Sequence, residues 1–147
     1  MSLIEMNYMT AHNHYFMDSN ILLYSIGDDD KQPIAEKLSR NPNAVISTQV
    51  LNEFCNVVFR KKLMTDDELL SSIRFFKKYF TIIDLNSDFV VDALHIKKRY
   101  QYSYWDSLLI ATALYANTPI LYSEDMHHNH IIENKLTIIN PFYKENP

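Results

Sequence analysis

Four acidic residues of this chain stand where folded polypeptides place reactive groups: Asp18, Glu53, Asp106 and Asp125. Asp18 follows the bulky apolar run Tyr15-Phe16-Met17 and precedes Ile21-Leu22-Leu23-Tyr24. A short buried strand therefore ends at it and a helix starts just beyond, with Ser19 or Asn20 placed to cap that helix. Asp125, with Glu124, closes a second strand-like run, Pro119-Ile120-Leu121-Tyr122-Ser123. Glu53 and Asp106 fall in the early turns of two helices that follow strand or turn signals. A lone Asp at a helix start is accounted for by capping. Four acids drawn to one edge of a parallel sheet are not, because ligands bind outside the carboxyl ends of such strands. Neighbouring carboxylates repel, and their proton affinities rise unless a divalent cation neutralises them. With oxygen donors only, and no zinc-like cysteine or histidine spacing, the expected cation is Mg²⁺ or Mn²⁺. The chemistry that suits it is phosphodiester hydrolysis, in which the metal acidifies a water, orients the phosphate and stabilises the leaving oxygen.

Composition removes several other classes. The formal net charge is −4, which does not describe a broadly basic nucleic-acid binder. A single cysteine, Cys55, rules out an internal disulfide and a CxxC pair, and a reduced cytoplasmic setting fits best. The only glycine is Gly27, so neither a GxGxxG turn nor a phosphate-binding P-loop can be built. No apolar run is long enough to span a membrane, and the N-terminus lacks a secretory pattern. The Asp28-Asp29-Asp30 triplet lacks the Gly and Glu positions of a calcium loop and is read as complementing a helix dipole.

The elements that must position the acids follow from hydrophobic periodicity. Strands are expected at 14–18, 44–47, 81–85, 119–123 and 136–139. Helices are expected at 19–26 (ended by Gly27), 33–38, 48–63 (capped by Thr48), 65–79, 87–99 and 103–116. Leu51, Phe54, Cys55 and Val58 form the core-facing stripe of the third helix, while Val90, Val91, Leu94 and Ile96 are the apolar positions of the fifth. Thr65 with Glu68 is a capping box. The run from Leu108 to Leu114 is apolar nearly all round, which marks a central helix. This alternation predicts an α/β fold with a mostly parallel sheet covered on both faces. Residues 14–147 make one domain, and residues 1–13, which show no clean period, an N-terminal extension.

Phe16-Met17-Asp18-Ser19-Asn20-Ile21-Leu22-Leu23-Tyr24, Leu51-Asn52-Glu53-Phe54, Tyr104-Trp105-Asp106-Ser107-Leu108-Leu109-Ile110-Ala111-Thr112-Ala113 and Tyr122-Ser123-Glu124-Asp125-Met126 resemble the four acidic motifs of PIN-domain ribonucleases, specifically VapC-type toxins of type II toxin–antitoxin pairs. Ile138-Ile139-Asn140-Pro141-Phe142 resembles that family's closing strand, and the likeness runs over about residues 14–143. It implies a PIN-like three-layer α/β/α domain in which Asp18, Glu53, Asp106 and Asp125 hold Mg²⁺ or Mn²⁺ and cut RNA. Glu53 completes the cluster or positions the attacking water. The resemblance also implies that Asn20 and Ser123 support the cluster, that the protein is a homodimer, and that a cognate antitoxin silences it. The chain departs from the pattern at Asn129, where the family often has Gly, in its longer start, and in the histidines His127, His128 and His130, read as solvated loop residues.

RNA contact is expected from Arg60, Lys61 and Lys62 and from Lys97, Lys98 and Arg99, with Tyr100, Tyr102, Tyr104 and Trp105 as stacking faces. Each basic triplet also complements a helix C-terminus, and the aromatics suit a dimer interface equally well. The alternative function is a catalytically silent PIN-like module that binds a protein. A phosphatase using Asp18 as nucleophile is disfavoured, since Asn20 stands where that chemistry commonly places its general acid.

Overall fold

Apolar runs too short for helices become the strands, and the longer amphipathic segments pack over them. A computed structural model describes residues 14–145; the extension expected at residues 1–13 lies outside them. The strands are β1 (Tyr15–Met17), β2 (Ala44–Ser47), β3 (Thr81–Ile83), β4 (Ile120–Tyr122), β5 (Ile131–Ile132) and β6 (Leu136–Ile139). The helices are α1 (Ser19–Ser25), α2 (Gln32–Ser39), α3 (Thr48–Lys61), α4 (Asp66–Tyr79), α5 (Ser87–Tyr100) and α6 (Tyr104–Tyr115). Among the described residues no helix is long and apolar enough to cross a membrane.

All six strands form one sheet in the order β3-β2-β1-β4-β6-β5, parallel except for β5 against β6. Every residue of β1 and β2 is buried. Successive strand side chains point to opposite faces, so both faces of the sheet are covered and the layers are α/β/α. The chain moves outward from β1 to β2 and β3, then returns across β1 to place β4 on its other side. The order thus reverses between β1 and β4, and in open α/β sheets the crevice at such a reversal binds ligands. β1 and β4 run in register there, with Met17 opposite Tyr122. Asp18 and Ser123 are the next residues on each strand.

Helix α6 is the apolar pillar beneath that crevice, with Ser107 to Ala113 all buried. Its burial on every side is what the uninterrupted apolar run dictates. The capping box of Thr65 and Glu68 opens α4 as expected.

Several local expectations are corrected. Asp18 itself, not Ser19 or Asn20, caps α1, and Ser47, not Thr48, caps α3. The Thr48 hydroxyl instead accepts from the Leu85 N–H at 3.3 Å, tying α3 to the loop after β3. Gly27 follows the end of α1 without a left-handed backbone; its N–H closes a turn on the Tyr24 carbonyl at 3.1 Å. Asp28, Asp29 and Asp30 lie ahead of α2's cap, Lys31, rather than in its first turn, and Asp29 accepts from the Lys31 N–H. The buried line of α3 is Val50, Phe54 and Val58, with Leu51 and Cys55 only half-buried. On α5 the buried face is Phe89, Ala93 and Ile96, at i, i+4 and i+7, which leaves Val90, Val91 and Leu94 outside. β5 was not expected, because two apolar residues carry no period of their own. Asn129 does occupy the left-handed region, with φ 67°, where its short polar side chain is tolerated.

The corrected α5 face has a direct test. Phe89→Ala is expected to cost about 3 kcal/mol by urea unfolding, whereas Val91→Ala stays within about 0.5 kcal/mol. Equal losses would mean that Val91 is buried and the assignment of faces is wrong.

Candidate active site

Asp18 is only 7 % exposed, an unusual position for a carboxylate. It is held there by donors rather than cations. Its Oδ1 accepts from the Ser19 N–H at 2.7 Å, and its Oδ2 accepts from the Ser123 hydroxyl at 2.8 Å. The Ser19 hydroxyl lies 3.1 Å from Glu53 Oε2 and 3.4 Å from Asp18 Oδ1. It has one proton to give, so it bridges the two acids while satisfying only the nearer fully. The other Glu53 oxygen accepts from Gln49 Nε2 at 3.0 Å, and the same amide reaches the Trp105 carbonyl at 3.0 Å. That pair of bonds ties the second turn of α3 to the first turn of α6, where Asp106 sits. Asn20 Nδ2 donates to Asp125 Oδ2 at 3.2 Å, and the Asp125 N–H points at the Ser123 hydroxyl at 3.4 Å.

The four acids thus come from four separate segments around the reversal between β1 and β4, with Asp18 linked to Glu53 through Ser19 and to Asp125 through Ser123. Burial, then the charges of Glu53 and Asp106, push the Asp18 carboxyl up to about 7, against the lowering effect of its hydrogen bonds. Burial also raises Asp106, with Asp125 adding to it and a hydrogen bond from Ser103 opposing. None of the four acids has a Lys, Arg or His ion partner among the described residues. Glu124 makes the contrast plain. It receives Lys31 Nζ at 2.9 Å and the Tyr24 hydroxyl at 2.9 Å, with that ammonium 4.6 Å over the Tyr24 ring. One acid of the Glu124-Asp125 pair is neutralised as a loop anchor, and the other is left uncompensated.

The donor set fits a hard divalent cation: carboxylate oxygens, with no soft ligand in contact. Asn20 Oδ1 adds a buried acceptor without a protein donor among the described residues. No three Asp, Glu, His or Cys side chains among those residues are already gathered to hold one ion. Asp18, Glu53 and Asp125 each accept from a neutral side-chain donor.

The six candidate RNA-binding cations are all exposed. Arg60, Lys61 and Lys62 close α3 about 10 Å beyond Glu53, at a 1.5 Å rise per residue. Arg99 pairs with Glu133 at 3.0 Å, while Lys97 and Lys98 have no ion partner among the described residues. Of the proposed stacking faces Tyr102 is buried, and Tyr100 accepts from the Glu133 N–H through its hydroxyl; Trp105 stands open. The histidines are not simply solvated. His130 Nδ1 lies 2.7 Å from the Tyr102 hydroxyl, and His128 stacks on Tyr143 and accepts from the Asn140 N–H at 3.0 Å. Sequence reasoning passed over Ser19 and Gln49 as site residues. Ser19 adjoins Asp18 in sequence, and Gln49 stands four residues before Glu53 on one helix face.

Residues 15–133 match the PIN domain. The chain belongs to the PIN-domain family. Its fold is similar to that of three solved structures. A toxin–antitoxin complex from Klebsiella pneumoniae is 17 % identical, over 87 % of this chain and 98 % of that one, with a TM-score of 0.66. VapC20 of Mycobacterium tuberculosis, described as a sarcin-ricin loop cleaving toxin, is 18 % identical over 76 % and 89 %, with a TM-score of 0.63. VapBC2 of Rickettsia felis, bound to a fragment of its promoter DNA, is 22 % identical over 76 % and 87 %, with a TM-score of 0.55. No curated protein matches the sequence at a significant level. For this PIN domain the likeness to these structures is one of fold, and the reading of its acids rests on its own geometry.

The titration of Asp18 sets a stability prediction. Because its carboxyl binds a proton more tightly folded than unfolded, the folded state holds more protons between pH 3.8 and about 7. Stability of the metal-free protein therefore falls as pH rises through that window, by up to roughly 4 kcal/mol from this group. Asp18→Asn should remove this slope and raise Tm at pH 8 in EDTA by about 3 °C or more. Calorimetry at pH 5 and pH 8 checks it, and a variant less stable than wild type at pH 8 would make Asp18 a structural acid.

Proposed function

We propose that this PIN domain is a metal-dependent endoribonuclease and the toxin of a toxin–antitoxin pair. One observation supports the reading: around the reversal of strand order the charges of Glu53 and Asp106 act on Asp18 and that of Asp125 acts on Asp106, and none of the four has a basic partner among the described residues. Asp18, Asp106 and Asp125 are the residues that would hold Mg²⁺ or Mn²⁺. Bound there, the cation supplies an acidified water and neutralises charge on the phosphate and the departing oxygen. The chain's own side chains do the positioning. Ser123 fixes one oxygen of Asp18, and Asn20 aims Asp125. Glu53, held on both oxygens by Ser19 and Gln49, completes the cluster or orients the attacking water and takes its proton. Attack by water with departure of the 3′ oxygen, and no covalent intermediate, leaves a 5′-phosphate and a 3′-hydroxyl.

The choice of RNA is supported by the family and by VapC20, which is described as cleaving the sarcin-ricin loop. An antitoxin partner is supported by the two neighbours solved as toxin–antitoxin assemblies. The reading includes a homodimer, for which the exposed Val90, Val91 and Leu94 of α5 are an available apolar surface.

Purified protein is expected to cut RNA with Mg²⁺ or Mn²⁺ and to stop in excess EDTA. Undiminished cutting in EDTA would rule out the metal mechanism. Asp106→Asn should abolish cleavage, and Glu53→Gln should slow it about 100-fold or more, the scale of a lost general base. Both variants should keep their Tm, which separates a catalytic loss from an unfolded protein.

A further inference from the structure

Helix α3 carries Gln49, Asn52, Glu53 and Asn56 at i, i+3, i+4 and i+7, a single uncharged-amide face interrupted by one acid. Between that face and the start of α6 lies a cavity of about 530 Å³. Its apolar lining is Leu85 and the buried Leu108, and one side is formed by Trp105, 62 % exposed. Glu53 lines this cavity and is linked through Ser19 to Asp18, so the cavity adjoins the acids at that side chain.

A second observation concerns Gln49, which forms part of the cavity wall. Gln49 is 6 % exposed, and its Nε2 spends its protons on Glu53 Oε1 and the Trp105 carbonyl. Both partners are acceptors, which fixes the nitrogen and leaves Oε1 as the oxygen. That oxygen is buried with no donor among the described residues. Gln49 is therefore a fixed part of the wall, and the amides free to meet an occupant are those of the exposed Asn52 and Asn56.

The lining selects the occupant. Among the described residues no cation lines the cavity, and Glu53 repels anions, so the lining does not suit a phosphate. Amides that both donate and accept, beside an open indole and an apolar surface, suit a flat neutral ring with donors and acceptors along its edge. We propose that this cavity is a base-binding subsite, which takes an unpaired nucleobase of RNA beside the cleaved phosphate, stacked on Trp105 and read along its edge by Asn52 and Asn56. Unpaired bases are recognised in this manner, by an aromatic face and polar groups on the edge. The inference rests on the nuclease reading for the position of the phosphate, but its test does not need cleavage.

Trp105 is the only tryptophan in the chain, so its fluorescence reports this cavity alone. The experiment titrates Asp18→Asn protein in Mg²⁺ with the RNA trinucleotides AAA, CCC, GGG and UUU. Saturable quenching is expected, with the tightest trinucleotide favoured about tenfold over the weakest, the scale of one well-made base contact. Asn52 and Asn56 are exposed, so Asn52→Ala and Asn56→Ala should fold normally. Each is expected to weaken the preferred trinucleotide about fivefold or more and to flatten the ranking. Absence of quenching with all four, or a ranking untouched by both variants, overturns the subsite. In parallel, wild-type protein is given a randomised RNA pool. Ranked quenching without any cutting would keep the subsite and discard hydrolysis, whereas cutting without quenching would do the reverse.

Discussion

The negative charge of the buried Asp18, with no positive side chain to meet it among the described residues, is the constraint on which this molecule turns. A buried carboxylate is costly unless paired or well hydrogen-bonded. The protein takes the second course at its centre. Ser123 and the Ser19 N–H serve Asp18, Ser19 and Gln49 serve Glu53, and Asn20 serves Asp125. These neutral donors hold the acids without cancelling them. The residual cost shows in the Asp18 carboxyl, pushed up to about 7 by burial and by its acidic neighbours. A lysine within reach would remove that cost and the site with it, as Lys31 does for Glu124 one residue from Asp125.

The fold delivers this arrangement through the carboxyl edge of its parallel strands. Asp18 ends β1 and caps α1 with the same carboxylate that faces the crevice. Capping and site-building are not rival explanations here, because the two oxygens have separate partners. The rigid support comes from α6, buried all round, whose first turn carries Asp106 and whose Trp105 carbonyl receives Gln49. The adjoining cavity grows from the same contact. Holding Glu53 and the α6 backbone uses both protons of Gln49, so one side chain supports the acid and forms part of the cavity wall.

Farther from the acids, side chains that look suited to substrate are committed to structure. The Tyr102 hydroxyl meets His130, Tyr100 receives the Glu133 N–H, Arg99 pairs with Glu133, and His128 packs on Tyr143. The first three contacts fasten the β5–β6 hairpin and the loop before it to the end of α5, and the last ties the loop after β4 to the segment after β6. They steady the segment that carries Asp125.

The amino-acid sequence by itself determined the α/β class, the strand and helix order apart from β5, the buried α6 and the identity of the acids at the strand ends. Those features are local: a strand's apolar run, a helix's period and a cap's chemistry act over a few residues. It also pointed to Asn20 and Ser123, through the company of motifs around them. Only the tertiary structure decided which of two adjacent acids is neutralised, which faces of α3 and α5 turn inward, and that Ser19 and Gln49 link the acids. Each depends on a partner tens of residues away, as with Lys31 and Glu124 or Gln49 and Trp105. Local periodicity places a side chain on a face of its own element, but which neighbour that face meets is set by how the elements pack.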